Sequence, residues 1–173
     1  WLHEIAGTDV FIDATVTGVN RFGYEMTYKG LDLFMLHYNS DVNMIPKDKQ
    51  QDMVGRTLRV AVEFYSPDND NFQVSRKRYM ETLIPQKMEE LVPGRVYEGV
   101  VTGTTSFGIF VQLNEVLTGM IHKDNVHEDY RDRLGDIEQG TPIAFYYRDT
   151  LKGNKIILTQ YWKESAWDDI DKG

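Results

Sequence analysis

FGIFVQLNEVLTGMIH, at residues 107–122, is similar in sequence to FGYEMTYKGLDLFMLH at residues 22–37. Each stretch begins with Phe-Gly and ends in a histidine 15 residues after the Phe, and the two lie 85 residues apart. Gly55 recurs at the same distance as Gly140. Similarity at a fixed period indicates tandem copies of one structural unit. The sequence therefore predicts two similar domains.

Each copy is predicted to form five short strands, because alternating or β-branched segments are separated by turn residues. In the second copy the strands are predicted at Val96 to Thr102, Phe107 to Leu113, Leu117 to His122, Thr141 to Arg148 and Lys155 to Gln160. In the first copy they are predicted at Phe11 to Val19, Gly23 to Tyr28, Leu31 to His37, Thr57 to Tyr65 and Phe72 to Arg76. A longer connection follows the third strand in both copies, at residues 38–54 and 123–138.

Five short strands with a long connection after the third are typical of the OB-fold, a small five-stranded Greek-key barrel. The predicted fold class is all-β, with two tandem OB-fold barrels joined by a short helical linker and followed by a helical tail. The predicted boundaries are residues 8–78 and 91–160 for the domains, 79–90 for the linker and 161–173 for the tail. Because the chain begins with Trp1 and not with methionine, we expect it to be a fragment of a longer protein.

The net charge of −8 narrows the classes of partner. Residues 8–78 carry nine Lys or Arg and ten Asp or Glu, net −1, and residues 91–160 carry seven and nine, net −2. Neither copy has the basic excess that a non-specific duplex-DNA binder requires, whereas single strands are also held by base stacking. The absence of cysteine fits a reducing compartment, so we expect a cytoplasmic protein. No apolar run approaches the ~18 residues that span a bilayer, and no membrane partner is expected.

Five separated segments of the second copy occur in the order found in a known family. They are Gly94-Arg-Val-Tyr-Glu-Gly-Val-Val, Ser106-Phe-Gly-Ile-Phe-Val, Gly119-Met-Ile-His, Gly140, and Asp149 with Lys155-Ile-Ile-Leu-Thr. With these segments, residues 92–160 resemble the S1 RNA-binding domain, which is named after bacterial ribosomal protein S1. Residues 8–78 resemble it more weakly. The resemblance implies an OB-fold and single-stranded RNA as a partner, and it implies no catalytic activity.

The resemblance implies an RNA site made of Phe107, Phe110, His122, Asp149 and Lys155. Two rings on one face of a barrel offer stacking worth ~1–3 kcal/mol per base. His122 adds a ring that can stack or form hydrogen bonds, and Lys155 adds a phosphate contact. Asp149 is expected to orient Lys155 or to accept a hydrogen bond from a base or a 2′-hydroxyl.

Two placements of the phenylalanines remain open at the level of sequence. Phe107 and Phe110 are an odd number of positions apart, so a regular strand would direct them to opposite faces. Both can face a ligand if Gly108 marks a bend or bulge. Otherwise they are core residues of a small barrel, with His122 at its rim. The resemblance favours the surface.

The first copy has diverged at positions that would bind RNA. Glu25 stands where the second copy has Phe110, and Asn71 stands where it has Lys155. A carboxylate among stacking rings repels a phosphate chain. The first copy is therefore expected to be impaired for RNA.

The first copy nevertheless keeps some candidate contacts. Ser66 falls near the position of the acidic residue. The basic run after the last strand could contact RNA, although a solvated strand end explains it equally well. The weaker candidates for RNA contact are Phe22, His37, Arg76, Lys77 and Arg78.

No arrangement typical of catalysis occurs in the sequence, so no enzymatic activity, cofactor or metal is expected. His122 and His127 lack the His-Glu-x-x-His spacing of a zinc site. Asp68-Asn-Asp-Asn lacks the glycine and the closing glutamate of a calcium loop.

These features predict a ribosome- or translation-associated S1-like protein whose second domain binds single-stranded RNA. The first domain is expected to dock a partner, such as the ribosome or another protein, or to act as a spacer. The alternative is that the whole chain is a protein-interaction platform for ribosome anchoring with little RNA affinity. The net acidity favours this alternative, and the intact aromatic pair of the second copy favours RNA.

Overall fold

The computed structural model describes residues 1–162. The chain divides into two compact units, Trp1–Ile84 and the unit that begins at Pro85. Each unit contains one closed five-stranded barrel. The predicted helical tail lies outside the described residues, apart from Tyr161 and Trp162, which are not helical. No helix within the described residues is long and apolar enough to cross a membrane.

The first barrel is built from strands that alternate between core and surface. Its strands are β1 (Phe11–Val19), β2 (Gly23–Tyr28), β3 (Leu31–Leu36), β4 (Thr57–Ser66) and β5 (Asn71–Ser75). They close in the order β1-β2-β3-β5-β4, with β3 parallel to β5 and the other neighbours antiparallel. In β1, Ile12, Ala14 and Val16 are buried while Asp13 and Thr17 are exposed, as the two-residue period of a strand dictates.

The second barrel repeats this topology. Its strands are β6 (Val96–Thr105), β7 (Gly108–Gln112), β8 (Thr118–His122), β9 (Pro142–Leu151) and β10 (Lys155–Thr159). They close in the equivalent order β6-β7-β8-β10-β9. The prediction of an all-β chain with two tandem five-stranded barrels is confirmed. Strand β7 begins at Gly108, one residue later than predicted, so Phe107 lies in the preceding turn.

The two barrel interiors are filled by apolar side chains. Burying one such side chain stabilises a fold by ~1.5–3 kcal/mol. The largest fully buried ones are Val16, Tyr24, Met26, Met35, Val60, Val62 and Val74 in the first barrel and Val101, Ile109, Ile121, Phe145 and Leu158 in the second.

Both barrels carry a bulge at the same point of their first strand. Thr17 interrupts the pairing of β1 with β2, and Thr102 interrupts that of β6 with β7. The Thr17 hydroxyl donates to the carbonyl of Glu25 at 3.2 Å, and the Thr102 hydroxyl donates to that of Phe110 at 3.3 Å. Because the bulges match, Glu25 and Phe110 occupy the same position in the two barrels.

The helices are short and lie in the connections. They are α1 (Leu2–Ile5), α2 (Lys47–Gln50), α3 (Arg76–Thr82), α4 (Ile84–Glu89) and α5 (Glu128–Arg131). The connection after the third strand contains α2 in the first barrel and α5 in the second, each with short 3-10 turns. Helix α4 is the predicted linker helix, with Pro85 in its first turn.

Helix α3 follows β5 where the sequence predicted a strand end at Arg76. Strand β5 ends at Ser75, and the Ser75 hydroxyl accepts a hydrogen bond from the backbone N–H of Arg78 at 3.0 Å. Such an N-cap stabilises a helix by ~1 kcal/mol. The basic residues 76–78 are therefore the first turn of a helix, and their interpretation as a solvated strand end is wrong.

Candidate nucleic-acid interface

A row of five residues crosses the outer face of the second barrel, one from each strand. The row runs through Gly103 of β6, Phe110 of β7, Met120 of β8, Ile157 of β10 and Asp149 of β9. Cross-strand partners project from the same face of a sheet. The residues on either side of Phe110 are buried in the barrel, so the row faces outward. We call this row, together with Phe107, the stacking face.

Both phenylalanines of the predicted stacking pair lie on the surface. Phe107 is 66% exposed and Phe110 is 37% exposed. The alternation of a regular strand does not apply to Phe107, because it precedes β7. Gly108 then packs against the backbone of Ile121 and His122 so closely that no side chain fits there. The alternative placement of the two rings in the core is therefore wrong.

His122 and Lys155 project from the same face, on opposite sides of the row. His122 is two residues from Met120 in β8, and Lys155 is two residues from Ile157 in the parallel strand β10. Residues two apart in a strand share a face. The stacking face therefore has an imidazole on one side and an exposed ammonium group on the other.

The hydrogen bond that His122 makes decides which ring nitrogen can meet a ligand. Its Nδ1 accepts a hydrogen bond from the backbone N–H of Asp124 at 3.2 Å. The Asp124 carboxylate also lies 3.5 Å from Nδ1. With Nδ1 engaged by these neighbours, Nε2 is the ring nitrogen that can donate to a base or a phosphate.

Asp149 is not positioned to orient Lys155. Asp149 lies opposite Ile157, whereas Lys155 lies opposite Leu151, which is two residues or roughly 7 Å further along the hairpin. The Asp149 carboxylate instead accepts a hydrogen bond from the backbone N–H of Thr150 at 2.7 Å. No ion pair joins Asp149 to Lys155 in the described part of the chain. Its second expected role, as an acceptor for a base or a 2′-hydroxyl, stays a prediction.

The equivalent row of the first barrel has different chemistry. It runs through Gly18 of β1, Glu25 of β2, Phe34 of β3, Gln73 of β5 and Phe64 of β4. Glu25 therefore replaces Phe110, as the alignment predicted. Asn71 pairs with Ser66 just as Lys155 pairs with Leu151, so Asn71 does stand in the position of Lys155.

Ser66 lies two residues from the position of the acidic residue, and the residue in that register is Phe64. Strands β4 and β9 carry matching bulges, at Glu63 and Arg148, so that Phe64 pairs with Gln73 as Asp149 pairs with Ile157. Phe64 is 57% exposed. The first barrel therefore presents an aromatic ring where the second barrel presents a carboxylate.

The two predicted histidines do not share a register, although their spacing from the Phe is equal. Gly23 pairs with Leu36, whereas Gly108 pairs with His122, because the β2–β3 hairpin is one residue shorter. His37 follows β3, where its Nε2 hydrogen-bonds the carbonyl of Asn20 at 2.7 Å. Its ring packs edge-on against the buried ring of Tyr24, with 4.9 Å between centroids, and burial raises the pKa of Tyr24. The geometry gives His37 a structural role.

The basic residues of α3 are engaged within the first unit. Arg76 lies 3.6 Å from Asp41, and Arg78 lies 3.5 Å from Glu63. The Lys77 ammonium lies over the ring of Tyr38, 3.7 Å from its centroid. A phosphate would have to compete with these partners. Of the five weaker candidates, Phe22 is the one with a largely exposed side chain, at 60%.

Sequence reasoning missed several residues on these faces. Met120 and Ile157 complete the row of the second barrel, and Phe34 lies in that of the first. Phe34 could have been found from alternation, because its neighbours Leu33 and Met35 are buried. Phe64 lies 85 residues before Asp149, so the period of the repeat could have identified it, although the bulge at Glu63 interrupts the alternation of β4.

The topology places both units in the class of OB-type barrels. Residues 90–159 match the model of a family described as S1 RNA binding domain. The second barrel therefore belongs to the S1 RNA-binding domain family.

Ribosomal proteins of the S1 group are similar to most of the chain. Small ribosomal subunit protein bS1B of Synechocystis is 25% identical over 167 residues, which cover 92% of this chain and 52% of that protein. The small ribosomal subunit protein bS1 homolog of Bacillus subtilis is 30% identical over 151 residues, which cover 84% of this chain and 38% of that protein. The chain thus spans about half the length of these relatives or less. Among solved structures, GSP13 from Bacillus subtilis is 26% identical, with a TM-score of 0.37, over 40% of this chain and 55% of that chain.

Proposed function

We propose that the second barrel binds single-stranded RNA through its stacking face, in a ribosome- or translation-associated S1-like protein. The observation that carries the proposal is the exposure of Phe107 and Phe110 beside a row of outward-facing residues. Exposed apolar side chains grouped on one face of a domain mark an interaction site. The match of residues 90–159 to the S1 RNA-binding family supports RNA as that ligand.

The stacking face and the two side chains that flank it, His122 and Lys155, supply three kinds of contact. Phe107 and Phe110 stack on bases, with Met120 as an apolar neighbour of Phe110. His122 donates from Nε2, and Asp149 accepts from a base edge or from the 2′-hydroxyl that distinguishes RNA from DNA. Lys155 contacts a phosphate. With few cations in this set, affinity is expected to come mainly from stacking and to lie in the micromolar range or weaker.

The first barrel is proposed to be a docking or spacer domain. It keeps the barrel and the exposed Phe22, but it places the Glu25 carboxylate at the centre of the face and lacks the lysine at position 71. A phosphate chain meets repulsion from Glu25 there, without a lysine at the position of Lys155. The similarity of the chain to ribosomal S1 proteins supports the ribosome as one partner of such a domain.

A second candidate function is a protein-interaction platform with little RNA affinity. The observation that favours it is the net charge of −8, because polyanion binding rewards a basic surface. RNA titration separates the two candidates. The same titration in full-length chains carrying Phe107→Ala shows whether the stacking face is the site.

The salt dependence of RNA binding is expected to be shallow. Two or three phosphate contacts correspond to a slope of about −1.5 to −2 in a plot of log K against log salt. Fluorescence anisotropy with a labelled single-stranded RNA between low and moderate salt measures this slope, and an RNA duplex of the same sequence serves as the control. A slope several times steeper would show that an unrecognised basic surface dominates binding.

Restoring two residues is expected to give the first barrel RNA affinity. With the second barrel silenced by Phe107→Ala and Phe110→Ala, residual RNA binding should be at least tenfold weaker than in the natural chain. Adding Glu25→Phe and Asn71→Lys should recover part of the loss, because Glu25 and Asn71 hold the registers of Phe110 and Lys155. RNA titration of the full-length variants measures both effects.

A matched control separates charge from stacking in this experiment. Glu25→Gln removes the carboxylate without adding a ring, so it should recover less than Glu25→Phe. If the silenced chain still binds RNA as well as the natural chain, the proposed division between the barrels fails.

A further inference from the structure

A groove of about 560 Å³ crosses the outer face of the first barrel. Its apolar walls are Phe22, Phe34, Leu36 and Phe64. Phe22, Leu36 and Phe64 are 60%, 44% and 57% exposed. Apolar patches of this kind on a domain surface mark interaction sites. We call this feature the first-barrel groove.

The polar part of the groove consists of neutral hydrogen-bonding side chains. They are Asn20, Ser66, Asn69, Asn71 and Gln73. Gln73 Nε2 donates to Asn71 Oδ1 at 2.9 Å. This bond leaves the Gln73 carbonyl oxygen and the Asn71 amide nitrogen without an intramolecular partner among residues 1–162. The groove therefore offers one acceptor and one donor beside its rings, which is what an extended peptide backbone requires.

Negative charge lies on one side of the groove. An adjoining hollow of about 350 Å³ shares Phe34, Asn69 and Asn71 with the groove and contains three exposed acidic residues, Glu25, Asp32 and Asp70. Asp70 accepts a hydrogen bond from the Tyr65 hydroxyl. The nearby cation is Arg21, whose guanidinium lies 4.6 Å from the centroid of the Phe22 ring.

We propose that the first-barrel groove binds an extended peptide segment of a protein partner. The segment carries an aromatic or aliphatic residue for the groove and lysine or arginine for the acidic side. This inference rests on the docking role proposed for the first barrel and names the chemistry of its partner. The rings of Phe22 and Phe64 line the same groove and offer apolar surface to such a residue, and a basic residue is complementary to Glu25 and Asp32. RNA fits less well, because its phosphates would face these carboxylates.

The test uses the full-length chain and a set of capped heptapeptides. The central residue of each peptide is Phe, Leu or Ala, and its flanking residues are Lys, Gln or Glu. Fluorescence anisotropy gives the affinities, and amide chemical shifts locate the site. Lys-flanked Phe peptides should bind at least tenfold more tightly than Glu-flanked ones, because several weak surface charge pairs act together. Replacing the central Phe by Ala should abolish measurable binding.

Variants of the chain test each half of the proposal. Phe64→Ala should weaken binding of the Lys-flanked Phe peptide at least fivefold, while Tyr38→Ala, which removes an exposed ring outside the groove, should leave it unchanged. Glu25→Gln with Asp32→Asn should reduce the preference for Lys over Glu flanks to less than threefold. Phe64→Ala should leave RNA binding unchanged.

Three results would overturn the inference. The first is the absence of peptide binding at millimolar peptide concentration, and the second is equal affinity for Lys-flanked and Glu-flanked peptides. The third is a single-stranded RNA that displaces the peptide and changes the amide chemical shifts of the groove residues. The last result would identify the groove as a base-binding site. Failure of the RNA proposal is read separately, from unchanged RNA binding after Phe107→Ala.

Discussion

Replacing Gly108 with alanine is expected to lower the free energy of unfolding of the second barrel by about 3 kcal/mol, near the upper end of the cost of overpacking. A Cβ at this position would overlap the backbone carbonyl oxygen of Ile121 and would lie 3.1 Å from the α-carbon of His122. These are backbone atoms of the paired strand β8, so relief requires the two strands to separate. The same overlap exists at Gly23, whose Cβ would meet the carbonyl oxygen of Met35.

Gly103→Ala is the matched control for this prediction. Gly103 lies in β6 opposite Phe110, and a Cβ built there meets no atom within 4 Å. Because alanine loses less backbone entropy than glycine on folding, stability should be unchanged or higher by up to about 1 kcal/mol. Amide hydrogen exchange of the buried residues Val111 and Ile121 in the full-length chain measures the stability of this barrel separately. Equal protection in Gly108→Ala and the natural chain would contradict the prediction.

Replacing Phe107 with alanine is expected to weaken binding of single-stranded RNA by about 1–3 kcal/mol, the value of one base stacked on an aromatic ring. The ring is 66% exposed, so little packing is lost in the free protein. Stability should therefore change by less than about 0.5 kcal/mol. Phe110→Ala should also weaken RNA binding, but with a larger effect on stability, because Phe110 is 37% exposed and pairs with Met120.

The control for Phe107→Ala is Tyr130→Ala, which removes another half-exposed ring from α5, outside the stacking face. RNA titration and thermal unfolding of the full-length chain compare the two variants. Equal loss of RNA affinity in both would mean that binding does not depend on the stacking face. A loss of several kcal/mol of stability in Phe107→Ala would mean that the ring packs more than its exposure indicates.

The two-barrel architecture could be predicted from the amino-acid sequence. Two copies with turn residues and alternating segments at the same spacing predict ten strands, and the structure has them within a few residues of the predicted ends. The prediction of the strands succeeds because strands of a small barrel are buried on one face, so apolar and polar residues alternate along the sequence. The equivalence of Glu25 and Phe110 was also readable, since no insertion separates them from Phe22 and Phe107.

Which side chains meet on each face depends on strand pairing, and local sequence does not show it. The bulge at Glu63 turns Phe64 to the outer face of the first barrel, and the shorter β2–β3 hairpin brings Leu36, not His37, to the register of His122. A one-residue change in pairing transfers a side chain to the other face, and nothing in local propensity marks it. The surface position of Phe107 likewise depends on contact between Gly108 and a strand that pairs with it across the hairpin. The first-barrel groove follows from these registers, because it joins residues of different strands that only the closed barrel brings together.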